Sequence, residues 1–96
     1  MFPIPVTHGY TVFSKTGCTY CEFVKELLED ETVSVINCDA FLGEEKAAFL
    51  EHVHELAGKP YKTFPMVFYE ARFLGGFTET KKFYDAKNLK KDAATE

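Results

Sequence analysis

Tyr10-Thr11-Val12-Phe13-Ser14 is an apolar, β-rich run, and three polar turn residues follow it, Lys15-Thr16-Gly17. The period then changes: Phe23, Val24, Leu27 and Leu28 recur at helical spacing and form one apolar stripe, so this stretch predicts strand, turn, helix. Thr32 to Cys38 predicts a second strand after an acidic turn at Glu29-Asp30-Glu31. Residues 43–57 predict a second helix, with Phe49, Val53, Leu56 and Ala57 at core positions and Gly58 and Pro60 marking its end. Pro65 to Tyr69 predicts a third strand and Arg72-Phe73-Leu74 a fourth, joined tightly by Glu70-Ala71. Gly75-Gly76 should break the sheet, and Thr78 is the expected N-cap of a last helix that reaches about Leu89. The order is βαβαββα, an α/β pattern with no repeat, linker or low-complexity segment, so residues 1–96 form one domain with its core at about 10–90. Residues 1–8 and 91–96 are expected to be loose ends.

The first helix opens on Cys18-Thr19-Tyr20-Cys21, two thiols three positions apart. Cys18 should sit at the exposed tip and Cys21 one turn inside. A helix's first amides have no intrahelical partner and its dipole places roughly half a positive charge there, which favours a thiolate at Cys18. Lys15 adds a second positive field. Thiols in such settings have pKa values lowered from about 8.5 to roughly 3.5–7.5. For a pKa near 5 the ionised fraction at neutral pH rises about 30-fold while intrinsic nucleophilicity falls by a similar factor, so the gain is in departure from a mixed disulfide. The pair is therefore read as redox-active. A C-x-x-C pair is also half of many zinc sites, but a structural site needs four ligands. There is no second pair, and His8, His52 and His54 have no convincing spacing to this one, so no metal is expected.

Composition fits a small enzyme. Ten phenylalanines and five tyrosines supply much of a single core. There is no apolar run near 18 residues, and the first six residues lack a basic segment and a long apolar one, so no membrane partner is expected. The expectation is a soluble, cytoplasmic protein, in which three cysteines would be mostly thiols and the pair catalytic. A formal charge of −4 argues against nucleic acid as a partner. The charge is uneven: residues 1–58 carry three lysines against ten acids, and 59–96 carry eight basic groups against five acids. That asymmetry is read as ordinary solvated faces or as a field that orients an encounter.

Three separated blocks carry a family resemblance: Lys15-x-x-Cys18-Thr19-Tyr20-Cys21, Thr63-Phe64-Pro65 before the third strand, and Gly75-Gly76-Phe77-Thr78-Glu79 before the last helix. In this order and spacing, over roughly residues 10–90, the chain resembles the dithiol glutaredoxins. The resemblance implies a thioredoxin-like fold, a four-stranded mixed sheet flanked by three helices. It also implies glutathione as cosubstrate, and disulfide-containing or glutathionylated proteins, such as a ribonucleotide reductase, as partners of a monomer. Thioredoxin, the nearest relative in chemistry, typically has Trp-Cys-Gly-Pro-Cys, and this chain has no tryptophan.

By that resemblance Pro65 is a cis-proline, which sequence alone does not reveal because only about one X-Pro bond in twenty is cis. Phe64 would then offer its backbone N–H and C=O to the cysteinyl part of glutathione as an added strand. Thr63 lies in the same block. Gly75 and Gly76 allow close approach, and the helix start at Thr78 offers amides to the γ-glutamyl carboxylate. Glu79 takes the position that meets the γ-glutamyl ammonium, and Lys15 and Tyr20 flank the glycyl end. Phe64 stands where valine is usual, which would narrow the groove, and Thr19 stands where proline is common. Two other readings remain at this point: an iron–sulfur cluster bridging two subunits through Cys18 and glutathione, and a non-catalytic adaptor with the same fold.

The other conspicuous residues read as structural. Cys38 is expected to be a buried small hydrophobe. His52 and His54, two apart on a helix, do not share a face and make a poor metal pair. Lys81, Lys82, Lys87, Lys90 and Lys91 read as solvated helix surface.

Overall fold

A central strand buried along its whole length organises the molecule. The computed structural model describes residues 1–95, with side chains through Asn88. It contains β1 (Tyr10–Ser14), α1 (Thr19–Leu27), β2 (Val33–Asn37), a 3-10 turn at Asp39–Phe41, α2 (Lys46–Ala57), β3 (Met66–Tyr69), β4 (Arg72–Gly75) and α3 (Phe77–Thr95). The sheet order is β2-β1-β3-β4, with β1 parallel to β2 and antiparallel to β3, and β3 antiparallel to β4. A parallel pair needs a crossover, and α1 supplies it. All five residues of β1 are buried, because it lies inside the sheet and is covered on both faces.

Alternation along β1 divides the core. Phe13 faces Cys38, Phe49, Val53, Met66 and Phe68 on the α2 side. Tyr10 and Val12 face Val24, Leu28 and Val67 on the side of α1 and α3. Phe49 is the hub of the first cluster. Its ring lies 5.6 Å from Phe2, 6.4 Å from Phe13, 5.4 Å from Phe41 and 6.5 Å from Phe64, the last two nearly parallel to it. Truncating such a fully buried ring to alanine costs about 3–5 kcal/mol.

The structure corrects several expectations. Phe23, assigned to the apolar stripe of α1, is 44% exposed; Cys21, Val24 and Leu28 carry the buried face instead. A helix presents one face to the sheet, and Phe23 falls beside it, against Tyr20 and Phe77. The second helix begins at Lys46, three residues later than expected, after the separate 3-10 turn. It ends as expected on Gly58, left-handed at φ 76°. Gly75 closes β4 opposite Val67 and so belongs to the sheet.

The last helix passes the end expected near Leu89 and runs to Thr95, so 91–95 are helical, while Glu96 and the side chains of Lys90 and Lys91 lie outside the described residues. Within residues 1–8, expected to be loose, several positions touch the core while Met1, Ile4, Thr7 and His8 are exposed. Phe2 packs edge-on to Phe41 and Phe49, the His52 Nε2–H donates to the Pro3 carbonyl at 2.7 Å, and the Val6 N–H donates to Thr11 Oγ1 at 3.0 Å. An apolar ring two residues into the chain had a core cluster within reach.

The β3–β4 connection places Glu70 at φ 50° and Ala71 at φ 69°, the two left-handed positions of a turn that suits the right-handed twist of a hairpin. Neither residue favours that region, and each costs about 1–2 kcal/mol there relative to glycine-compatible geometry. Replacing Glu70-Ala71 by Asn-Gly should therefore stabilise the fold by about 1 kcal/mol and raise Tm by roughly 4–8 °C. Thermal unfolding followed by circular dichroism measures this; an unchanged or lowered Tm would contradict the strain.

Candidate active site

Cys18 is the N-cap of α1. Its backbone is extended at φ −103° and ψ 106°, and its Sγ accepts a hydrogen bond from the Cys21 N–H at 3.1 Å. The two sulfurs form a disulfide across Cα atoms 5.2 Å apart. The pair is asymmetric: Cys21 is fully buried, and Cys18 is partly exposed at the tip. An external disulfide can reach only the first. Gly17, left-handed at φ 75°, makes the turn that delivers Cys18 to the cap. The Lys15 ammonium lies 5.7 Å from the centre of the Phe64 ring, and Tyr20, 57% exposed, packs against Phe23 and Phe77.

The second block enters β3 through a cis Phe64–Pro65 peptide bond, as the resemblance implied. Antiparallel register sets Phe13 opposite Met66, so Ser14, where β1 ends and the cysteine turn begins, comes level with Pro65. Phe64 does not point its bulk across the groove. Its ring stacks on Phe49 and joins the α2-side cluster.

The third block corrects the expected cap. The helix α3 begins at Phe77, and its first bond runs from the Thr80 N–H to the Gly76 carbonyl at 3.0 Å, so Gly76 rather than Thr78 is the N-cap. Glu79, three residues on, reaches back and accepts the Gly76 N–H at 2.9 Å with Oε1. That bond, followed by its own backbone N–H, holds the Glu79 carboxyl below the usual carboxylate range. A side chain at either glycine would crowd Glu79 or a neighbour. A Cβ at Gly75, where φ is 136°, would lie 2.8 Å from Glu79 Cγ, and one at Gly76 would lie 2.8 Å from the Tyr61 hydroxyl.

Seven of the eight expected binding residues line one shallow cavity of about 260 Å³: Tyr20, Thr63, Phe64, Pro65, Gly76, Thr78 and Glu79. Lys15 lies outside its wall, over Phe64. The cavity is slightly below the roughly 300–1,000 Å³ usual for drug-sized ligands. Sequence reasoning missed Tyr61 and Phe77 in its lining. Phe77 stood within a quoted block, and its position directly after the glycine pair was the available signal. Tyr61 sits in an irregular loop with no periodicity to place it. Asp39 was also missed. Both its carboxylate oxygens accept from Thr16, Oδ1 from the N–H at 2.9 Å and Oδ2 from the hydroxyl. Those bonds, the hydroxyl's first, keep the Asp39 carboxyl below its ordinary range.

Cys38 is a buried free thiol, and desolvation pushes its pKa up to about 11, which leaves it inert at neutral pH. Among the described residues no group of three or more His, Cys, Asp or Glu side chains is placed to hold a metal ion, and no helix is long and apolar enough to cross a membrane.

The glutaredoxin family model matches residues 10–74. The mitochondrial glutaredoxin-2 of Bos taurus is 32% identical over 78 residues, which cover 81% of this chain and 48% of that protein. The chain thus spans about half the length of the curated relatives it matches first. Among solved structures, Francisella tularensis glutaredoxin 1 complexed with cacodylate superposes with a TM-score of 0.72 at 23% identity, covering 83% of this chain and 95% of that one. A buckwheat glutaredoxin–glutathione complex gives 0.65 at 28% identity, covering 84% and 73%. The four-stranded mixed sheet and three helices are those of the thioredoxin-like fold. With Cys18 and Cys21 bridged in a C-x-x-C pair, this chain belongs to the glutaredoxin family.

Proposed function

We propose that this protein is a glutathione-dependent thiol-disulfide oxidoreductase, with Cys18 as nucleophile and Cys21 as resolving thiol. The observation that carries the reading is the asymmetry of the bridged pair: one sulfur capping a helix at the surface, the other buried one turn below. The Cys18 thiolate attacks the glutathione sulfur of a mixed disulfide. The bond between substrate and glutathione breaks, the substrate leaves as a thiol after taking a proton from solvent, and Cys18 carries glutathione. A second glutathione thiolate attacks that sulfur, releases oxidised glutathione and restores the Cys18 thiolate. A protein disulfide instead leaves Cys18 tied to a bulky partner. Cys21 then displaces it and closes the bridge seen here, which two glutathiones reopen.

In this reading the cavity binds glutathione. The backbone of Phe64 beside cis-Pro65 pairs with the cysteinyl unit as an added strand. The amides at the start of α3 receive the γ-glutamyl carboxylate. Oε1 of Glu79 is committed to Gly76, so Oε2 is the atom left for the γ-glutamyl ammonium. The Lys15–Phe64 contact is worth about 0.5–1 kcal/mol at an exposed site. A charge-assisted bond to a carboxylate is worth roughly 1.5–3 kcal/mol, so Lys15 can leave the ring for the glycyl carboxylate. The buckwheat relative crystallised with glutathione supports the assignment.

Two variants test the thiols. Cys18→Ser should abolish turnover in a glutathione-coupled assay. Cys21→Ser should keep or raise activity on a small glutathione mixed disulfide, while losing most reduction of a protein disulfide, because an internal thiol has a high effective concentration over an external one. Parallel collapse of both activities in Cys21→Ser would overturn the division of labour.

A third variant tests the binding site. Glu79→Gln keeps an oxygen for the Gly76 N–H and removes the charge, so the helix cap should survive while KM for glutathione rises about fivefold, with Cys18 alkylation unchanged. A partly exposed ion pair worth about 1 kcal/mol corresponds to that factor. An unchanged KM would place the γ-glutamyl ammonium elsewhere.

A further inference from the structure

The turn that presents Cys18 has little packing to hold it. Lys15, Thr16 and Gly17 are all exposed, and a Cβ built at Gly17 would meet no atom within 4 Å. Such a turn should wander, yet the cap geometry requires Cys18 to sit at one place on α1. Its tie comes from 23 residues away. Parallel register sets Ser14 opposite Asn37, and the Cys38 N–H donates to the Ser14 carbonyl at 2.8 Å just past the last paired residues. One step further the ladder stops and a side chain replaces it. Asp39 takes the Thr16 N–H on Oδ1 at 2.9 Å and the Thr16 hydroxyl on Oδ2. Asp39 is itself fixed, because its N–H donates to Asn37 Oδ1 at 2.9 Å and it opens the 3-10 turn.

We propose that Asp39 is a positioning residue for the nucleophile: its carboxylate clamps the Thr16 turn to the end of β2 and so holds the Cys18 sulfur at its cap on α1. Its charge acts the other way. A carboxylate near a thiolate disfavours it, so Asp39 is not there as a field that activates Cys18. Two hydrogen bonds and the Lys15 ammonium compensate its charge, and what remains is a two-point anchor. Without it the turn samples other conformers, and the sulfur spends less time where the Cys21 N–H and the helix dipole stabilise it.

This inference rests on Cys18 being the reactive thiol but not on glutathione, so its test uses neither glutathione nor a disulfide substrate. Reduced, desalted protein is alkylated with iodoacetamide across pH 4–9, and the rate at Cys18 is followed by mass spectrometry, with Tm recorded beside it. Asp39→Ala should slow alkylation near pH 6 about tenfold and move the midpoint up by roughly one unit, since misplacement of about 1 Å at a reacting atom can cost up to about 100-fold. Thr16→Val, which loses the hydroxyl bond and keeps the N–H, should give an intermediate shift and keeps the test open if Asp39→Ala does not fold. The double variant should be no worse than Asp39→Ala, because both remove one clamp.

Three results would overturn the proposal: a lowered Tm with an unshifted alkylation profile, additive effects in the double variant, or a native profile in Thr16→Val. The glutathione reading fails separately, if the native protein turns over no disulfide substrate with glutathione as reductant.

Discussion

A helix cannot satisfy its own first amides, and the candidate site is built on that deficit. At α1 the Cys21 N–H goes to the sulfur of Cys18, so a group whose charge would be costly in an apolar setting is placed where the backbone favours it. At α3 the Gly76 N–H goes to the carboxylate of Glu79. The two caps differ in what they leave over. Cys18 Sγ is at once the cap and the more exposed sulfur of the pair. Glu79 caps with Oε1 and leaves Oε2 outside that bond.

The sheet is what brings these termini together. β1 ends where β3 begins because the two run antiparallel, and Gly75 at the end of β4 pairs with Val67 near the start of β3. The cysteine turn, the cis peptide and the start of α3 are therefore all at one end of the sheet, although most of the chain between Gly17 and Phe77 separates the first from the last. Burial of β1 along its length keeps that arrangement stiff, since a shift of register by one residue would turn Phe13 and Val12 to the wrong faces of a two-sided core. Stability and site geometry thus depend on the same strand.

Legibility followed the range of each interaction. The C-x-x-C pair, the glycine pair and the strand periods are local, and sequence reading placed them within a residue or two. The Gly76 cap was missed because Thr78 is the better N-cap by type; what decided it was Glu79 three residues beyond, a pattern visible in the sequence but read as a ligand contact. The Asp39 clamp was not legible at all. It joins residues 23 apart through side-chain geometry, and no spacing rule announces it. Phe23 was misassigned because periodicity finds an apolar stripe but cannot fix where its edge meets solvent.

Phe64 shows how a departure from the family pattern can leave the site open. A phenylalanine before the cis-proline adds bulk at the mouth of the groove, yet its ring turns away, to lie parallel to Phe49 at 6.5 Å. Phe49 can receive it because the α2-side cluster is unusually aromatic, with Phe2, Phe13 and Phe41 filling its other sides. The segment before β1 is part of the same accommodation: Phe2 closes the cluster, and the Pro3 carbonyl is held by His52. The ring of Phe64 then becomes a platform for the Lys15 ammonium, so core packing that begins at Phe2 ends at a charge in the turn that leads to Cys18.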